Sequence, residues 1–289
     1  MGNAERFFRV DPHFEDAEHP HIHTAAYEGF DSFIRWRWGL NVVNGENFPR
    51  IGSAVIVPEH FHNIDPFAIG IAYPRPMIIP GKEKLWTPRY LYVGHALEQV
   101  GTVYLDRENA SREDTDHYED ELLRGKPALV FLHGTRVREE KAYTLPKDGP
   151  AYLAMKASLQ SMRRAVNGII PDADEGRSWI PTVEQYEEYG LEEYLCPIVP
   201  VGLSTDILIP KVPIQVLVGE ALYPDPSDLK PTKPARARLT GRIEERLSRL
   251  HEQAAYLRDD YAQRNGIHIP EDVWRMKYNI SDNPDSFSG

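Results

Sequence analysis

From residue 39 onward the chain alternates short β-branched runs with helix-compatible segments, and this alternation limits the fold more than any other feature. Leu40-Asn-Val-Val43 and Ser53-Ala-Val-Ile-Val57 read as strands, separated by the turn chemistry of Asn44-Gly45 and Pro49. Asp65–Tyr73 reads as a helix. Met77-Ile-Ile79, Thr102-Val-Tyr-Leu105, Ala128-Leu-Val-Phe-Leu132, Ile198-Val-Pro-Val201 and Ile214-Gln-Val-Leu-Val218 read as further strands. Strands spaced by helices predict an α/β fold, a mostly parallel central sheet flanked by helices on both faces. In such sheets ligands bind outside the carboxyl ends of the strands.

On either side of that body the pattern changes. Residues 1–30 are polar and rich in His and Pro, and read as an arm or short helix, leaving 31–223 as the α/β domain. Phe30-Asp-Ser-Phe-Ile-Arg-Trp-Arg-Trp38 interleaves aromatics with arginines. That mixture suits a membrane interface, where Trp sits at headgroup depth and Arg meets lipid phosphate, and equally a helix packed through its aromatics. Residues 167–195 break the rhythm with Asp172, Asp174, Glu175, Glu184, Glu187, Glu188, Glu192 and Glu193, and read as an acidic surface insertion. Past residue 223 comes a proline-rich linker, Pro224–Pro234. Leu239, Ile243, Leu247, Leu250, Ala254, Leu257 and Tyr261 then recur at three- and four-residue steps, predicting a C-terminal amphipathic helix docked on the domain and closed by Gly266.

Charge narrows the partners. The 289 residues carry a net charge of -11 with no dense Lys/Arg run, so nucleic acid is not an expected partner. Cys196 is the single cysteine; it sits in an apolar run and reads as a packed core thiol. The charged N-terminus lacks the apolar centre of a signal peptide, and no apolar stretch nears the roughly 20 residues that span a bilayer. The expectation is a cytoplasmic protein with at most peripheral contact with the inner face of the membrane.

Glu59-His-Phe-His-Asn-Ile-Asp65 follows the second strand and sets a histidine five residues ahead of an aspartate. His60 suits a general base, its ordinary pKa lying near 6.5, and Asp65 could fix its tautomer and stabilise the imidazolium. Alone the pair could be a surface His beside a helix-capping Asp. Three more strand-end features follow in order: GTVYLDR at 101–107, FLHGTR at 131–136 and CPIVPVG at 196–202. Over residues 35–220 this ordered set resembles the glycerolipid acyltransferases, which include the 1-acylglycerol-3-phosphate acyltransferases; Lys82-Glu-Lys-Leu85 and Lys147-Asp-Gly149 add to the likeness.

The resemblance implies transfer of a fatty acyl group from a thioester, acyl-CoA or an acyl carrier protein, to a hydroxyl on a lysophospholipid or glycerol phosphate. No metal or tightly bound cofactor is implied. His60 would take the hydroxyl proton as it attacks the thioester carbonyl, so no acyl-enzyme is needed. Arg107 and Arg136 would grip the acceptor phosphate with planar guanidinium forks, with Lys82 beside them. Arg107 could instead pair with Asp106, Glu108 or Asp114. Gly134 would admit close backbone approach, and Thr135 would offer a hydroxyl.

Two positions depart from the family pattern. Glu59 stands where the family usually has Asn, and His133 stands where the third motif normally has Glu. A carboxylate that would accept from a glycerol hydroxyl thereby becomes an imidazole, which is neutral or cationic near pH 7. Glu59 could supply the missing carboxylate, or the acceptor could be a non-glycerolipid alcohol. A metal-dependent hydrolase is a competing reading, since His60-Phe-His62 and Asp65 resemble a binuclear metal segment. Its register fails, because that motif needs Asp and His where Ile64 and Asp65 stand. A non-catalytic relative that binds lipid is the other alternative.

Overall fold

The structure is a computed structural model that describes residues 20–73, 75–81, 98, 101–104, 112–134, 146–167, 179–204, 209 and 211–269. Among these residues the strands are β1 (Leu40–Val43), β2 (Val55–Pro58), β3 (Ile79–Gly81), β4 (Thr102–Tyr104), β5 (Ala128–Leu129), β6 (Ile198–Ser204) and β7 (Ile214–Val218). The helices are α1 (Pro20–Arg37), α2 (Asp65–Ala72), α3 (Arg112–Leu123), α4 (Gly149–Val166), α5 (Val183–Glu188) and α6 (Lys233–Arg264). The main sheet runs β1-β7-β6-β2-β5. Beyond β5 the chain continues it: Ile78 bridges Ala128 in parallel, and β3 pairs in parallel with β4.

The parallel expectation holds for every pair but β6 with β7, which is antiparallel with Val201 opposite Val218. Residues 205–213 are too few to house the helical crossover that a parallel return needs. The strands are short, as the runs predicted. β2 is wholly buried and splits its side chains between two apolar layers, Val55 and Val57 towards α3, α4 and the first half of α6, and Ile56 towards α1 and α2. That division by alternate residues is what a sheet covered on both faces requires.

Polar ends hold the later helices in place. Thr182 and Gln185 form a reciprocal capping box on α5, while Trp179 and Leu191 pack against Leu159, Met162 and Val166 of α4. The acidic segment is therefore tacked to the body by its few apolar residues, with Glu184, Glu187, Glu188, Glu192 and Glu193 turned to solvent. Asp172, Asp174 and Glu175 lie outside the described residues. Cys196 is a buried free thiol whose pKa burial pushes up to about 12.

Towards its N-terminal end the structure has one helix across the boundary expected at residue 30. α1 runs without a break through residue 30, because Ile34 and Tyr27 pack it on α2 as one element. Within the proline-rich stretch Leu229 is buried with the α4 cluster, and Thr232 caps α6 by accepting from the Ala235 amide. α6 lies across β6 and β7 on Leu239, Ile243, Leu247, Leu250 and Ala254. Past Ala254 its buried side shifts from the expected Leu257 and Tyr261 to Arg258 and Ala262, where it covers Ile209 and Val212. Ile267 and Gly266 amides return to Ala262 and Gln263 carbonyls and close it.

Candidate active site

β2, β5, β3 and β4 run in one direction, so their carboxyl ends share an edge of the sheet. His60 follows β2 there. Its Nδ1 lies 3.1 Å from Asp65 Oδ2. The same oxygen accepts the amides of Phe61 at 2.6 Å and His62 at 2.7 Å. Asp65 opens α2 with Pro66 behind it, so the loop closes on the positive end of that helix. Asp65 is thus both the helix-terminal carboxylate and the partner of His60.

An acceptor-only carboxylate at Nδ1 holds the ring proton on that nitrogen and leaves Nε2 with the lone pair. The ring is further fixed by Phe131, stacked on it with centroids 4.2 Å apart and planes at 22°. Phe131 comes from the end of β5, where the chain turns through residues 131–134, the Gly134 amide donating to the Phe131 carbonyl. An imidazole, the carboxylate hydrogen-bonded to it and a flat apolar wall therefore converge from β2, α2 and β5. Such a group can take a proton from a hydroxyl during acyl transfer.

His133 lies in the same turn and is buried; burial lowers its pKa, so it is the neutral imidazole at pH 7. Gly134 sits at φ 65°, and a Cβ there would come within 3.2 Å of Lys147 Cδ. Lys147 lies across that glycine, and its amide donates to the Leu132 carbonyl at 2.9 Å. Nothing in the spacing of Lys147-Asp-Gly149 brings this lysine to Gly134; the fold does. Lys82, Arg107, Thr135 and Arg136 lie outside the described residues.

Glu59 precedes His60 and is buried against the C-terminal helix. It is 1% exposed and faces α6, with Oε2 3.7 Å from His251 Nδ1. Burial, reinforced by nearby Glu244, raises its pKa well above the usual carboxylate range. Its side chain turns to α6, whereas the His60 ring turns to Asp65 and Phe131. The reason is strand geometry: successive residues of an extended segment point to opposite sides. Among the described residues no three His, Cys, Asp or Glu side chains converge as metal ligands.

The acyltransferase family model matches residues 39–204, more than half of the chain, from the start of β1 to the end of β6. The chain belongs to the acyltransferase family. No curated protein matches it. Among solved structures, this acyltransferase is similar to the 1-acyl-sn-glycerophosphate (LPA) acyltransferase PlsC from Thermotoga maritima. The two are 17% identical over 80% of this chain and 78% of that chain, with a TM-score of 0.49. His60, Asp65, Phe131, His133 and Gly134 all fall within the matched segment of the acyltransferase, whereas α6 lies outside it.

Proposed function

We propose that the protein transfers a fatty acyl group from a thioester, acyl-CoA or an acyl carrier protein, to a hydroxyl of a lysophospholipid or glycerol phosphate-like acceptor. What carries this reading is the buried His60–Asp65 pair at a strand end, with Asp65 held by two backbone amides. His60 Nε2 removes the hydroxyl proton as the oxygen attacks the thioester carbonyl. The tetrahedral adduct collapses, the C–S bond breaks, and the imidazolium returns the proton to the departing thiolate. Asp65 stabilises that imidazolium. No metal or tightly bound cofactor takes part. Arg107, Arg136, Lys82 and Lys147 supply positive charge for an acceptor phosphate, and Gly134 and Thr135 shape its approach.

An acceptor other than a glycerolipid is favoured by one observation. His133 is a buried neutral imidazole where a carboxylate would accept from a glycerol hydroxyl. His133→Glu should then lower activity with the true acceptor, and an unchanged acceptor profile would count against this second reading. The lipid acceptor and acyl chain reach the site from the inner face of the membrane, where the protein is peripherally bound through α1.

The test is release of free thiol from acyl-CoA with and without a panel of lysolipids and other alcohols, followed by mass spectrometry of the product. Acceptor-dependent release that disappears in His60→Ala and survives a chelator supports the reading. Chelator-sensitive hydrolysis would replace it with a metal site, and silence across the panel with a lipid-binding role.

A further inference from the structure

His60 is flanked by two residues whose side chains both turn to one residue of the C-terminal helix. Glu59 Oε2 lies 3.7 Å from His251 Nδ1, and the Phe61 ring lies 4.8 Å from the His251 ring, tilted 37°. His60 points the other way, to Asp65 and Phe131. The segment is therefore gripped on alternate residues, with the base between two anchors. His251 is itself fixed: its Nδ1 lies 2.8 Å from the Leu203 carbonyl of β6, a separation at which it donates. It is 6% exposed, so the grip is sealed from solvent.

The way α6 reaches this position explains the fourth sequence motif. A Cβ at Gly202 would lie 2.5 Å from the Leu250 carbonyl oxygen and 2.6 Å from Leu250 Cβ. Only a residue without a side chain lets the helix backbone rest on β6 there. That contact sets His251, the next residue, beside Leu203.

We infer that His251 is a positioning residue for His60, holding its neighbours Glu59 and Phe61 against β6 so that the imidazole keeps its register with Asp65. This role rests on the proposed function only in naming His60 as the base. The groups facing the Glu59–His251 contact are Glu244 and Arg258 of α6 and the Leu203 backbone of β6. His251 is neutral at pH 7, since burial and Arg258 lower its pKa to about 4. Glu59 Oε2 has no hydrogen-bond partner among the described residues, so the loop depends on the fit of these groups rather than on a charge pair. His251 lies beyond residue 204, where the family model ends, so nothing in that match assigns it.

The test uses the full-length protein with His251→Asn, which keeps a donor near the Nδ1 position, and His251→Phe, which keeps the ring against Phe61 and loses the donor. Two readouts separate this role from a structural one. The first is the kcat-against-KM split in acyl transfer. His251→Phe should lower kcat by about tenfold or more with both KM values held within about twofold, and His251→Asn should restore part of the loss. The second is the long-range 1H–15N spectrum of histidine-labelled protein, which reports the His60 tautomer and titration midpoint without any catalytic assay. The wild type should show the Nδ1-protonated tautomer, and His251→Phe a mixture with a moved midpoint. Superimposable His60 signals in folded wild type and His251→Phe overturn the proposal whatever the activity is. Shifted signals in a protein inactive towards every thioester would leave His251 as a positioning residue and remove the acyl-transfer reading.

Discussion

Asp65 Oδ2 takes the His60 ring and two backbone amides at once, so the loop and the base are tied to a single atom. Asp65→Asn keeps the shape but removes the charge that stabilises an imidazolium. In a hydrolytic triad the equivalent change costs about 10⁴ in kcat. A loss of roughly 10² to 10⁴ in kcat is expected here, with little change in acceptor KM; a loss below tenfold would mean that His60 does not work through this carboxylate. Two buried titratable groups behind the base act on stability in opposite senses. His251, lowered to about 4, leaves the folded chain short of protons relative to the unfolded chain, so stability falls as pH drops from about 6.5 towards 4. Glu59 is raised, so the stability that it contributes is fully present below the unfolded carboxylate pKa and is lost as pH rises through its folded value. Glu59→Gln removes only the second term. Its urea midpoint should match the wild type at pH 4 and exceed it at pH 8, and equal midpoints at both pH values would show that folding does not raise the Glu59 pKa. At this scale one heptapeptide held a contact that is local in the chain and one that is not. His60 and Asp65 could be paired because five residues and a helix start bring them together locally. The direction of the Glu59 side chain could not be read locally, because the residue it faces, His251, is remote in the chain and is set by α6.

At the scale of elements, whatever depends on local pattern could be read and whatever depends on docking could not. β7 falls on residues 214–218 as its apolar run indicates, and α2 begins at the expected aspartate. β5 is regular strand only over Ala128–Leu129, shorter than its apolar run; the Val130 and Leu132 amides still donate to β2, and the chain then turns at 131–134, where Phe131 lies over His60. The reversal of β7 against β6 leaves no mark in either strand; it is decided by the short connection between them. The docking of α6 does leave one, at Gly202, but its meaning appears only when Leu250 lies on top of it. Gly202→Ala should be among the most damaging single-methyl changes in the chain, because the atom it meets is backbone and cannot rotate away. Overpacking of this kind costs about 1–3 kcal/mol, enough to lower the urea midpoint clearly. If α6 positions the active loop, kcat of the residual folded protein should fall as well. A variant that keeps wild-type stability would show that α6 can slide on β6, and with it the rigid seat of His251 would be lost.

The whole molecule presents one face unlike the rest. On α1, Phe33 is 46% and Trp36 79% exposed, with Ile22 and Phe30 beside them, while Ile34 is sealed into the core on the opposite side. Arg35 pairs with Asp31 and Arg37 lies over the Trp38 ring, so the cations edge the patch. Phe30 stacks on Phe67 of α2 with centroids 4.4 Å apart, two residues past Asp65, which makes the apolar face continuous with the helix that orients His60. No helix among the described residues is long and apolar enough to cross a membrane. The peripheral membrane contact proposed above would place this exposed aromatic face against the bilayer surface. Charge and apolar contact then pull in different directions, because a net charge of -11 is repelled by anionic lipid. If the aromatics dominate, partition into zwitterionic vesicles should persist in high salt. Replacing Phe33 and Trp36 together by Ser should then weaken it by about 2 kcal/mol or more, roughly 30-fold. The same double variant should keep its turnover on a short-chain, water-soluble acceptor, since neither side chain touches His60 or Asp65. Vesicle flotation and a soluble-substrate assay together decide the matter. Binding that vanishes in salt, or a variant that floats like the wild type, would move the membrane contact away from α1.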